Sequence, residues 1–312
     1  MKIFIAGGAG FIGSHFAAHL LLQPQIKRVT VYDNFSSGKI AHLEAVQNDM
    51  RLCIVNADIK NSDALIHAMR DHDLVIHLAS NPDIARAAIE PSIDFNEGTL
   101  LTKQVVEAMR ITGCRRILYA SGSGVYGEVG TLEVSEYHGP LFPISTYGAS
   151  KLAGEALICS YAHMFGLSGI AYRFGNVVGP RQTHGVGYDF IRKLQENPQQ
   201  LTILGDGFQS KSYVYITDII SAVLLANEKF SGIFDVFNVA TGDYITVRDI
   251  ANIAIQTIVG DEIVALKFSG GDRGWKGDVP IIRLNTDKIR SLGWQNQYNS
   301  AEAIKKSIEA MI

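Results

Sequence analysis

Cysteine is scarce in this sequence, and long apolar runs are absent. The three cysteines, Cys53, Cys114 and Cys159, stand apart from one another. None belongs to a Cys-x-x-Cys pair of the kind that binds zinc or forms a redox disulfide. No apolar run approaches the roughly 20 residues that cross a bilayer. These absences predict no metal site, no disulfide framework and no membrane partner, and isolated thiols are typical of a cytoplasmic protein.

An excess of positive charge is lacking as well. The net charge is −3, from 28 Lys and Arg against 31 Asp and Glu, so nothing favours binding to nucleic acid or to an anionic membrane. Hydrophobic residues make up 47% of 312 positions, which suffices for one large domain or two coupled ones. Residues 1–7 are expected to form a β-strand that enters a glycine turn, not a cleavable signal.

A strand, a glycine turn, a helix and a second strand fill the start of the chain. Residues 2–6 are apolar, and apolar residues recur at helical spacing up to Pro24, before a β-type run at 28–32. Three glycines follow the first strand at Gly-x-x-Gly-x-x-Gly spacing: Gly7, Gly10 and Gly13. Such glycines let the backbone approach a pyrophosphate at a helix N-terminus. An acid about 20 residues later bonds the adenosine ribose. With Asp33 there, the unit predicts a dinucleotide site that prefers NAD to NADP; a simple tight turn leaves Asp33 unexplained.

Strand and helix patterns continue to alternate along the chain. The segments are strands at 52–55, 74–79 and 116–120 and helices at 62–70 and 92–112. This alternation predicts an α/β fold with a doubly wound parallel sheet, whose ligands bind at the carboxyl ends of the strands. The residues at those ends are Asp58, Leu78, Ala79, Ser80 and Ser121. Asp58 is a candidate for the adenine amino group, or else a helix N-cap or turn acid.

A tyrosine and a lysine, Tyr147 and Lys151, lie four positions apart in a helical pattern that spans 145–165. At this spacing the two side chains share one face of a helix. The ammonium favours the phenolate and so lowers the pKa of the tyrosine. A phenol of that kind can exchange a proton with a sugar or alcohol hydroxyl. Because the spacing also occurs by chance, the dinucleotide unit before it gives the pair its weight.

The pattern loosens after a sixth strand at 169–174. The later elements are a strand at 201–204, helices at 217–228, 246–258 and 301–311, and short segments at 263–268 and 279–284. We therefore expect residues 1–175 to form the dinucleotide-binding domain with the catalytic helix. Residues 176–312 are expected to form mainly a smaller, interleaved substrate-binding subdomain, with some segments returning to the first domain.

Many short motifs follow one another in a recognisable order. They lie at 7–15, 32–34, 36–38, 57–59, 77–79, 125–127, 147–151, 173–180, 204–207, 211–215, 277–278 and 292–294, with Asp218. In this order they resemble the extended short-chain dehydrogenase/reductase family. Within that family the chain is most similar to the NAD-dependent nucleotide-sugar epimerases and dehydratases of the UDP-hexose 4-epimerase type. The resemblance implies a Rossmann-type sheet with NAD as the cofactor.

The resemblance also implies roles for individual residues. Tyr147 is the general base and acid, and Lys151 bonds the nicotinamide ribose and lowers the pKa of Tyr147. The implied cofactor-binding residues are Gly7, Gly10, Phe11, Ile12, Gly13, Asp33, Asn34, Ser36, Gly38, Asp58, Ile59, Leu78, Ala79, Ser80, Ser121, Tyr147, Lys151 and Phe174.

Five residues are implied substrate contacts. Asn176 contacts the diphosphate, and Lys211 occupies a position where the family usually has an arginine on that group. An ammonium serves there as a point charge without the bidentate fork. Arg273 supplies the second phosphate cation, although surface solvation is the alternative for both cations. His184, in a loop where substrate contacts occur, and Tyr213, with a core role as its alternative, complete the set.

One position departs from the family. The family places a serine or threonine four residues before the tyrosine of Val-Tyr-Gly, where its hydroxyl relays a proton to the catalytic tyrosine, and this chain has Gly122. Several explanations are open. The hydroxyl of Ser123 or Ser121 replaces the absent one, a water replaces it, or Tyr147 contacts the sugar hydroxyl directly. Alternatively, the reaction is altered or lost. A 4,6-dehydratase needs an acid just after this position, and Ser123 and Gly124 stand there instead.

The implied function is NAD-dependent epimerisation at C4 of a UDP-hexose, such as UDP-glucose or UDP-N-acetylglucosamine, through a transient 4-keto sugar. Alternatives are another nucleotide-sugar reaction (epimerisation at another carbon, decarboxylation or reduction) or a non-catalytic binding protein. A nucleotide sugar is the expected partner. The resemblance further implies a homodimer formed by the helices near 92–112 and 145–165.

Overall fold

A seven-stranded parallel sheet forms the centre of the protein. The computed structural model describes all 312 residues. The strands are β1 (Lys2–Ala6), β2 (Arg28–Asp33), β3 (Leu52–Asn56), β4 (Leu74–His77), β5 (Arg116–Gly122), β6 (Glu133–Val134), β7 (Ser168–Phe174), β8 (Asn176–Val178), β9 (Gln200–Ile203), β10 (Ser210–Lys211), β11 (Tyr213–Tyr215), β12 (Phe234–Val239), β13 (Ile245–Thr246), β14 (Ala265–Phe268) and β15 (Arg283–Leu284). The central sheet has the order β12-β7-β5-β4-β1-β2-β3, which confirms the predicted doubly wound α/β fold.

The strand order reverses at β1. β1 pairs in parallel with both β2 and β4, so Ile3 lies opposite Val29 on one side and Leu74 on the other. Strands covered by helices on both faces are apolar throughout, and the side chains of β1 from Ile3 to Ala6 are fully buried. Ligands bind such sheets beyond the carboxyl ends of the strands where the order reverses. The loops after β1 and β4 therefore mark the expected cofactor site.

Nine α-helices accompany the strands. They are α1 (Phe11–Leu21), α2 (Ser62–Met69), α3 (Leu100–Thr112), α4 (Thr146–Phe165), α5 (Val186–Glu196), α6 (Ile216–Lys229), α7 (Val247–Ile258), α8 (Asp287–Ser291) and α9 (Ser300–Glu309). Of the apolar residues that recur at helical spacing in α1, Phe11, Phe16, Ala17 and Leu20 are buried and Ile12 is half-buried. None of these helices combines the length and the apolar character that crossing a membrane requires.

The chain forms two compact units, and neither is continuous in sequence. The first unit holds residues 1–121, 149–172 and 227–236, and the second holds 122–148, 173–226 and 237–312. The first unit has its own apolar core, to which Phe4, Val105 and Ile117 belong. The second includes the short paired strands β8 with β11, β9 with β14, β10 with β13 and β6 with β15. The assignment of one domain to the cofactor and the other to the substrate stays a prediction.

Several element boundaries differ from the sequence prediction. The helix expected at 92–112 starts with a π-helical turn over Phe95–Thr99, and α3 follows it. Gly98 in this turn packs closely on α4, because a Cβ there would lie 2.7 Å from Ser150 Oγ. The segment expected at 279–284 is a strand only over Arg283–Leu284. β12 and α5 were not predicted, and β12 is the edge strand of the central sheet.

Candidate active site

The loop after β1 touches the loop after β4. Gly7 has a left-handed φ of 79°, and a Cβ on it would lie 2.7 Å from the backbone nitrogen of Ala79. A Cβ on Gly13 would lie 2.3 Å from the carbonyl oxygen of Gly7. Any side chain at either position would push the loops apart, so glycine is required at both. Leu78, Ala79 and Ser80, predicted to bind the cofactor, are half-buried beside this contact.

The N-terminus of α1 faces this glycine turn without a side-chain cap. The N-cap residue is Gly10, which has no side chain to cap the helix, and the first turn carries no acidic residue. A Cβ on Gly10 would meet only the carbonyl oxygen of Gly7, at 3.3 Å. Unpaired N–H groups and the helix dipole make such an end a site for anions. Phe11 and Ile12 are the first two residues of this helix, so the turn suits a pyrophosphate.

Asp33 is held in place at the end of β2. Its carboxylate accepts hydrogen bonds from the backbone N–H groups of Ala9 (2.9 Å) and Phe35 (2.8 Å), and the residue is buried. Gly38 lies against it, since a Cβ there would approach Asp33 Oδ1 to 2.9 Å. Each carboxylate oxygen has a further lone pair, so Asp33 can still accept from ribose hydroxyls.

Asn34 and Asp58, both predicted to contact the adenosine, bond to each other. Asn34 Nδ2 donates to Asp58 Oδ2 at 3.1 Å, and Asn34 Oδ1 accepts from the backbone N–H of Ser36. Asp58 Oδ1 accepts from the N–H of Lys60. One oxygen of Asp58 therefore has the role of a turn acid, which was the alternative. The other oxygen bonds Asn34, a second residue predicted to contact the cofactor. Ile59 beside it is buried.

Tyr147 and Lys151 lie one turn apart at the start of α4, as predicted. Tyr147 is half-buried, whereas Lys151 is buried and its Nζ donates to the carbonyl oxygen of Ala120 at 2.7 Å. Burial lowers the pKa of the Lys151 ammonium to about 8, and the nearby carboxylates of Asp94 and Glu155 oppose that effect. The ammonium therefore remains mostly charged at neutral pH.

Four buried polar residues near Lys151 were missed by the sequence analysis: His77, Asn81, Asp94 and Glu155. Ser121, a predicted cofactor contact, donates from Oγ to Glu155 Oε1 at 2.5 Å. Glu155 had a signal, because it follows Lys151 by four positions and so shares its helix face. Asp94, before α3, and Asn81, after β4, bond each other. Neither residue had a sequence signal, since only the fold brings them together. Phe174, a further predicted cofactor contact, is buried at the end of β7.

Gly122 has room for a side chain. Its backbone is extended (φ −164°, ψ 162°), a conformation open to any residue, and a Cβ there would meet no atom within 4 Å. Ser123 begins a 3₁₀ turn that runs to Tyr126 and is half-buried. The backbone at Gly122 thus does not require glycine, and the missing hydroxyl leaves open space.

The 3₁₀ turn packs on the first turn of α4 through two glycines. A Cβ on Gly148 would lie 2.5 Å from the carbonyl oxygen of Gly124. Gly148 directly follows Tyr147, and Gly124 directly follows Ser123. This contact therefore holds the segment of Ser123, a predicted replacement for the absent hydroxyl, against the segment of Tyr147, the predicted acid–base residue.

Both predicted phosphate cations lie at Asp278. Lys211 Nζ is 2.6 Å from Asp278 Oδ1, in an ion pair whose carboxylate is buried. Arg273 donates to the carbonyl oxygen of Asp278 at 3.3 Å and to Glu128 Oε1 at 2.8 Å. Lys211 also lies 5.3 Å from the ring centre of Trp275. The surface-solvation alternative is thus wrong for Lys211, whose side chain is 16% exposed.

Asn176 and Tyr213 are direct partners in the β8–β11 ladder. Tyr213 is a core residue, and burial raises its pKa. His184 is exposed on the loop before α5, with its Nδ1 3.3 Å from Thr183 Oγ1. No group of three or more His, Cys, Asp and Glu side chains is arranged to hold a metal ion.

The sequence pattern of the NAD dependent epimerase/dehydratase family matches residues 3–240. The chain belongs to this family. A UDP-glucose 4-epimerase of Mycolicibacterium smegmatis is 30% identical over 99% of this chain and 98% of its own. A solved UDP-galactose 4-epimerase is 37% identical, with a TM-score of 0.88 over 99% of this chain and 98% of its own.

Similar proteins of this family also include a dehydratase. The dTDP-glucose 4,6-dehydratase DesIV of Streptomyces venezuelae, solved with NAD bound, has a TM-score of 0.90 at 26% identity. It covers 99% of this chain and 96% of its own. The family is NAD dependent, and NAD is the cofactor of this chain. The glycine turn, the uncapped start of α1 and the fixed Asp33 carboxylate fit that group.

Proposed function

We propose that this chain epimerises a UDP-hexose at C4, with Tyr147 as the acid–base group. The observation that carries the proposal is the pairing of Tyr147 with a buried, charged Lys151 one turn later on α4. An ammonium one helical turn away stabilises the phenolate, so that the tyrosine can act as a base near neutral pH. Similar proteins include 4-epimerases of UDP-glucose and UDP-galactose.

The residues divide the work between cofactor and substrate. Bound NAD would supply the acceptor, and later the donor, of the hydride at C4, and the protein supplies position and charge. The glycine turn holds the pyrophosphate, Asp33 the adenosine ribose and Lys151 the nicotinamide ribose. Tyr147 removes the proton of the C4 hydroxyl and later returns it. Because the hydride would also return to the sugar, no net redox change occurs.

Lys211 and Arg273 bind the diphosphate in this proposal, together with Asn176. Asp278 orients both cations before substrate arrives, since one oxygen pairs with Lys211 and the backbone carbonyl accepts from Arg273. A phosphate oxygen can join an ammonium that already has one carboxylate partner, because the ammonium has three donors. When the diphosphate binds, the ion pair between Arg273 and Glu128 must break, or Arg273 must bind both groups at once.

Ser123 is the proposed replacement for the hydroxyl that Gly122 lacks. It starts the turn that packs on α4 next to Tyr147, and the space at Gly122 is open for a substrate hydroxyl or a water to enter. The same residues argue against a 4,6-dehydratase. Elimination needs an acid just after position 122, and the nearest acid along the chain, Glu128, pairs with Arg273.

The test is a product analysis on a panel of UDP-hexoses. The purified protein with its NAD is incubated with UDP-glucose and with UDP-N-acetylglucosamine, and the sugars are identified by ¹H NMR. The proposal expects the C4 epimer to accumulate without consumption of NADH. Inactivity on every UDP-hexose despite bound NAD contradicts it, and a different product or net NADH oxidation identifies another reaction of the same fold.

Gly122 also favours a second candidate, a non-catalytic protein that binds NAD and nucleotide sugar. Gly122→Ser separates the two, because the added side chain meets no neighbour and should leave stability within about 0.5 kcal/mol of wild type. Activity that rises from near zero supports a degenerate site. Activity that is unchanged or reduced says that the glycine belongs to a working site.

A cytoplasmic homodimer is the expected assembly. α3 and α4 lie side by side, since Tyr161 OH donates to Glu107 Oε2 and Arg110 lies over the ring of Phe165. Their outer surface is apolar in part, with Ile111 and Met164 exposed. Light scattering at several concentrations measures the mass, and a monomer throughout contradicts a dimer.

A further inference from the structure

Buried polar side chains form a hydrogen-bonded group near Lys151, whose ammonium is influenced by two of their carboxylates. The members of this group, with Lys151, come from four separate parts of the first unit, and none is more than 4% exposed. They are Asn81, Asp94, Ser121, Lys151 and Glu155. Two carboxylates thus share a dry environment with one ammonium, an arrangement that is costly unless the groups compensate one another.

Hydrogen bonds hold each carboxylate in place. Asn81 Nδ2 donates to Asp94 Oδ1 at 2.9 Å, and the same amide donates to the carbonyl oxygen of Asp83. On the other side, Ser121 Oγ donates to Glu155 Oε1 at 2.5 Å. The ammonium itself is directed at the carbonyl of Ala120. These neutral donors help to fix the carboxylates without cancelling their charge, and both carboxylates act on Lys151.

Two further ionisable residues near Lys151, His77 and Tyr119, carry no positive charge. His77 is neutral, because burial and the charge of Lys151 lower its pKa to about 3. Its Nε2 donates to Thr102 Oγ1, since that hydroxyl donates in turn to the carbonyl of Gly98. The ring of Tyr119 lies 5.2 Å from Lys151 Nζ, and Tyr147 lies one turn away on α4.

We propose that Asp94 and Glu155 are positioning residues of the active site, which keep the Lys151 ammonium charged at neutral pH so that it can stabilise the Tyr147 phenolate. This inference rests on the proposed role of Lys151. Burial alone disfavours the ammonium, and the two carboxylates are the charges that oppose it. Without either one, Lys151 loses its proton at lower pH and with it the attraction that the phenolate needs.

The direct test reads the titration of Lys151 itself. Protein labelled with ¹³C at the lysine ε-carbons is titrated by NMR from pH 6 to pH 10, and the Lys151 signal is identified by its loss in Lys151→Met. Asp94→Asn and Glu155→Gln keep the shape and the hydrogen bonds of the carboxylates. Each is expected to lower the midpoint of Lys151 by roughly one pH unit, an effect typical of a close buried charge.

Asp63→Asn is the matched control, because Asp63 lies in the first turn of α2 and is exposed. It should leave the Lys151 midpoint unchanged. A midpoint that stays at the wild-type value in both Asp94→Asn and Glu155→Gln overturns the proposal. If either variant fails to fold, the same variant with Lys151→Met decides: recovery of folding supports compensation between the charges, and no recovery overturns it.

The pH profile of activity supplies a second reading. The alkaline limb of kcat should move to lower pH in either variant, with a loss of about fivefold at pH 8 and little change at pH 6.5, as expected for a one-unit displacement. A uniform loss at all pH values indicates a structural role only. An enzyme inactive on UDP-hexoses whose Lys151 midpoint still moves would contradict the proposed function and leave this inference standing.

Discussion

At the scale of single residues, the burial of His77 makes the stability of the protein depend on pH. It is fully buried, its Nδ1 has no hydrogen-bond partner, and its pKa is lowered to about 3. The unfolded chain binds a proton at this residue below its ordinary pKa of about 6.5. Between these two values the unfolded state holds more protons, so His77 lowers stability as the pH falls from 6.5 towards 3.

We expect wild-type protein to lose roughly 2 kcal/mol of unfolding free energy between pH 7 and pH 5 on account of His77. His77→Gln retains a donor for Thr102 and removes the titration, so its loss over the same interval should be smaller by that amount. Urea unfolding at the two pH values measures both. Equal losses in the two proteins would show that His77 is not the titrating group.

At the scale of elements, the site depends on close contacts between segments distant in sequence. The paired glycines Gly124 and Gly148 join the 3₁₀ turn to α4, and the same contact is asymmetric. A Cβ on Gly148 would clash with the carbonyl of Gly124, whereas a Cβ on Gly124 would lie at an ordinary 3.6 Å from Gly148 Cα. The two alanine variants therefore form a matched pair.

Gly148→Ala should displace the turn and lower kcat by about tenfold or more, since a shift of about 1 Å at a reacting group can cost that much. Alanine is otherwise favoured over glycine in a helix by roughly 0.5–1 kcal/mol, so helix propensity cannot explain a loss. Gly124→Ala should stay near wild type. Steady-state kinetics with UDP-glucose measure both, and equal effects would argue against the contact.

Patterning predicted most elements of the central sheet, because β1, β2, β4 and β7 are continuous apolar runs bounded by turns. The pattern failed at β12, the edge strand, where Asp235 and Asn238 interrupt the apolar run. That strand carries Asn238, a fully buried residue that accepts from Tyr126 OH at 2.7 Å and donates to the carbonyls of Val134 and Asn285. No local signal marks this residue, because its partners come from three distant segments.

The site itself was predictable where its residues are consecutive or one helical turn apart, as in the glycine turn and the Tyr147–Lys151 pair. Asp94 was not predictable, since only the fold brings this carboxylate and its partner Asn81 near Lys151. Likewise, the pairing of Lys211 with Asp278 joins residues 67 positions apart. Buried charges that compensate one another over long stretches of chain cannot be recognised from the spacing of residues in the sequence.

At the scale of the whole molecule, both units are built from interrupted stretches of chain. Residues 227–236 return to the first unit, where Asn227 and Phe230 receive hydrogen bonds from Arg116. β12 covers the edge of β7, whose residues Ile170 and Ala171 are buried. The linear boundary at residue 175 cuts through this arrangement.

A fragment of residues 1–175 should therefore not fold cooperatively. It lacks β12, so the buried edge of β7 would be left unpaired. Arg116 would keep its hydrogen bond to Ser168 but lose those to Asn227 and Phe230. Urea unfolding followed by circular dichroism, with the full chain as control, tests this. A single steep transition in the fragment would mean that the first 175 residues are an independent domain.

The central claim is that Tyr147 moves the proton of the sugar hydroxyl, and Tyr147→Phe tests it most directly. The variant keeps the ring and removes only the hydroxyl. Because the other predicted cofactor contacts remain, NAD content should stay close to the wild-type level. Turnover of UDP-glucose, measured by ¹H NMR, should fall by about 10²–10⁴-fold, as expected when a positioned acid–base group is lost. Tyr137→Phe, at an exposed tyrosine, should have no effect. Wild-type turnover in Tyr147→Phe with NAD bound would contradict the account.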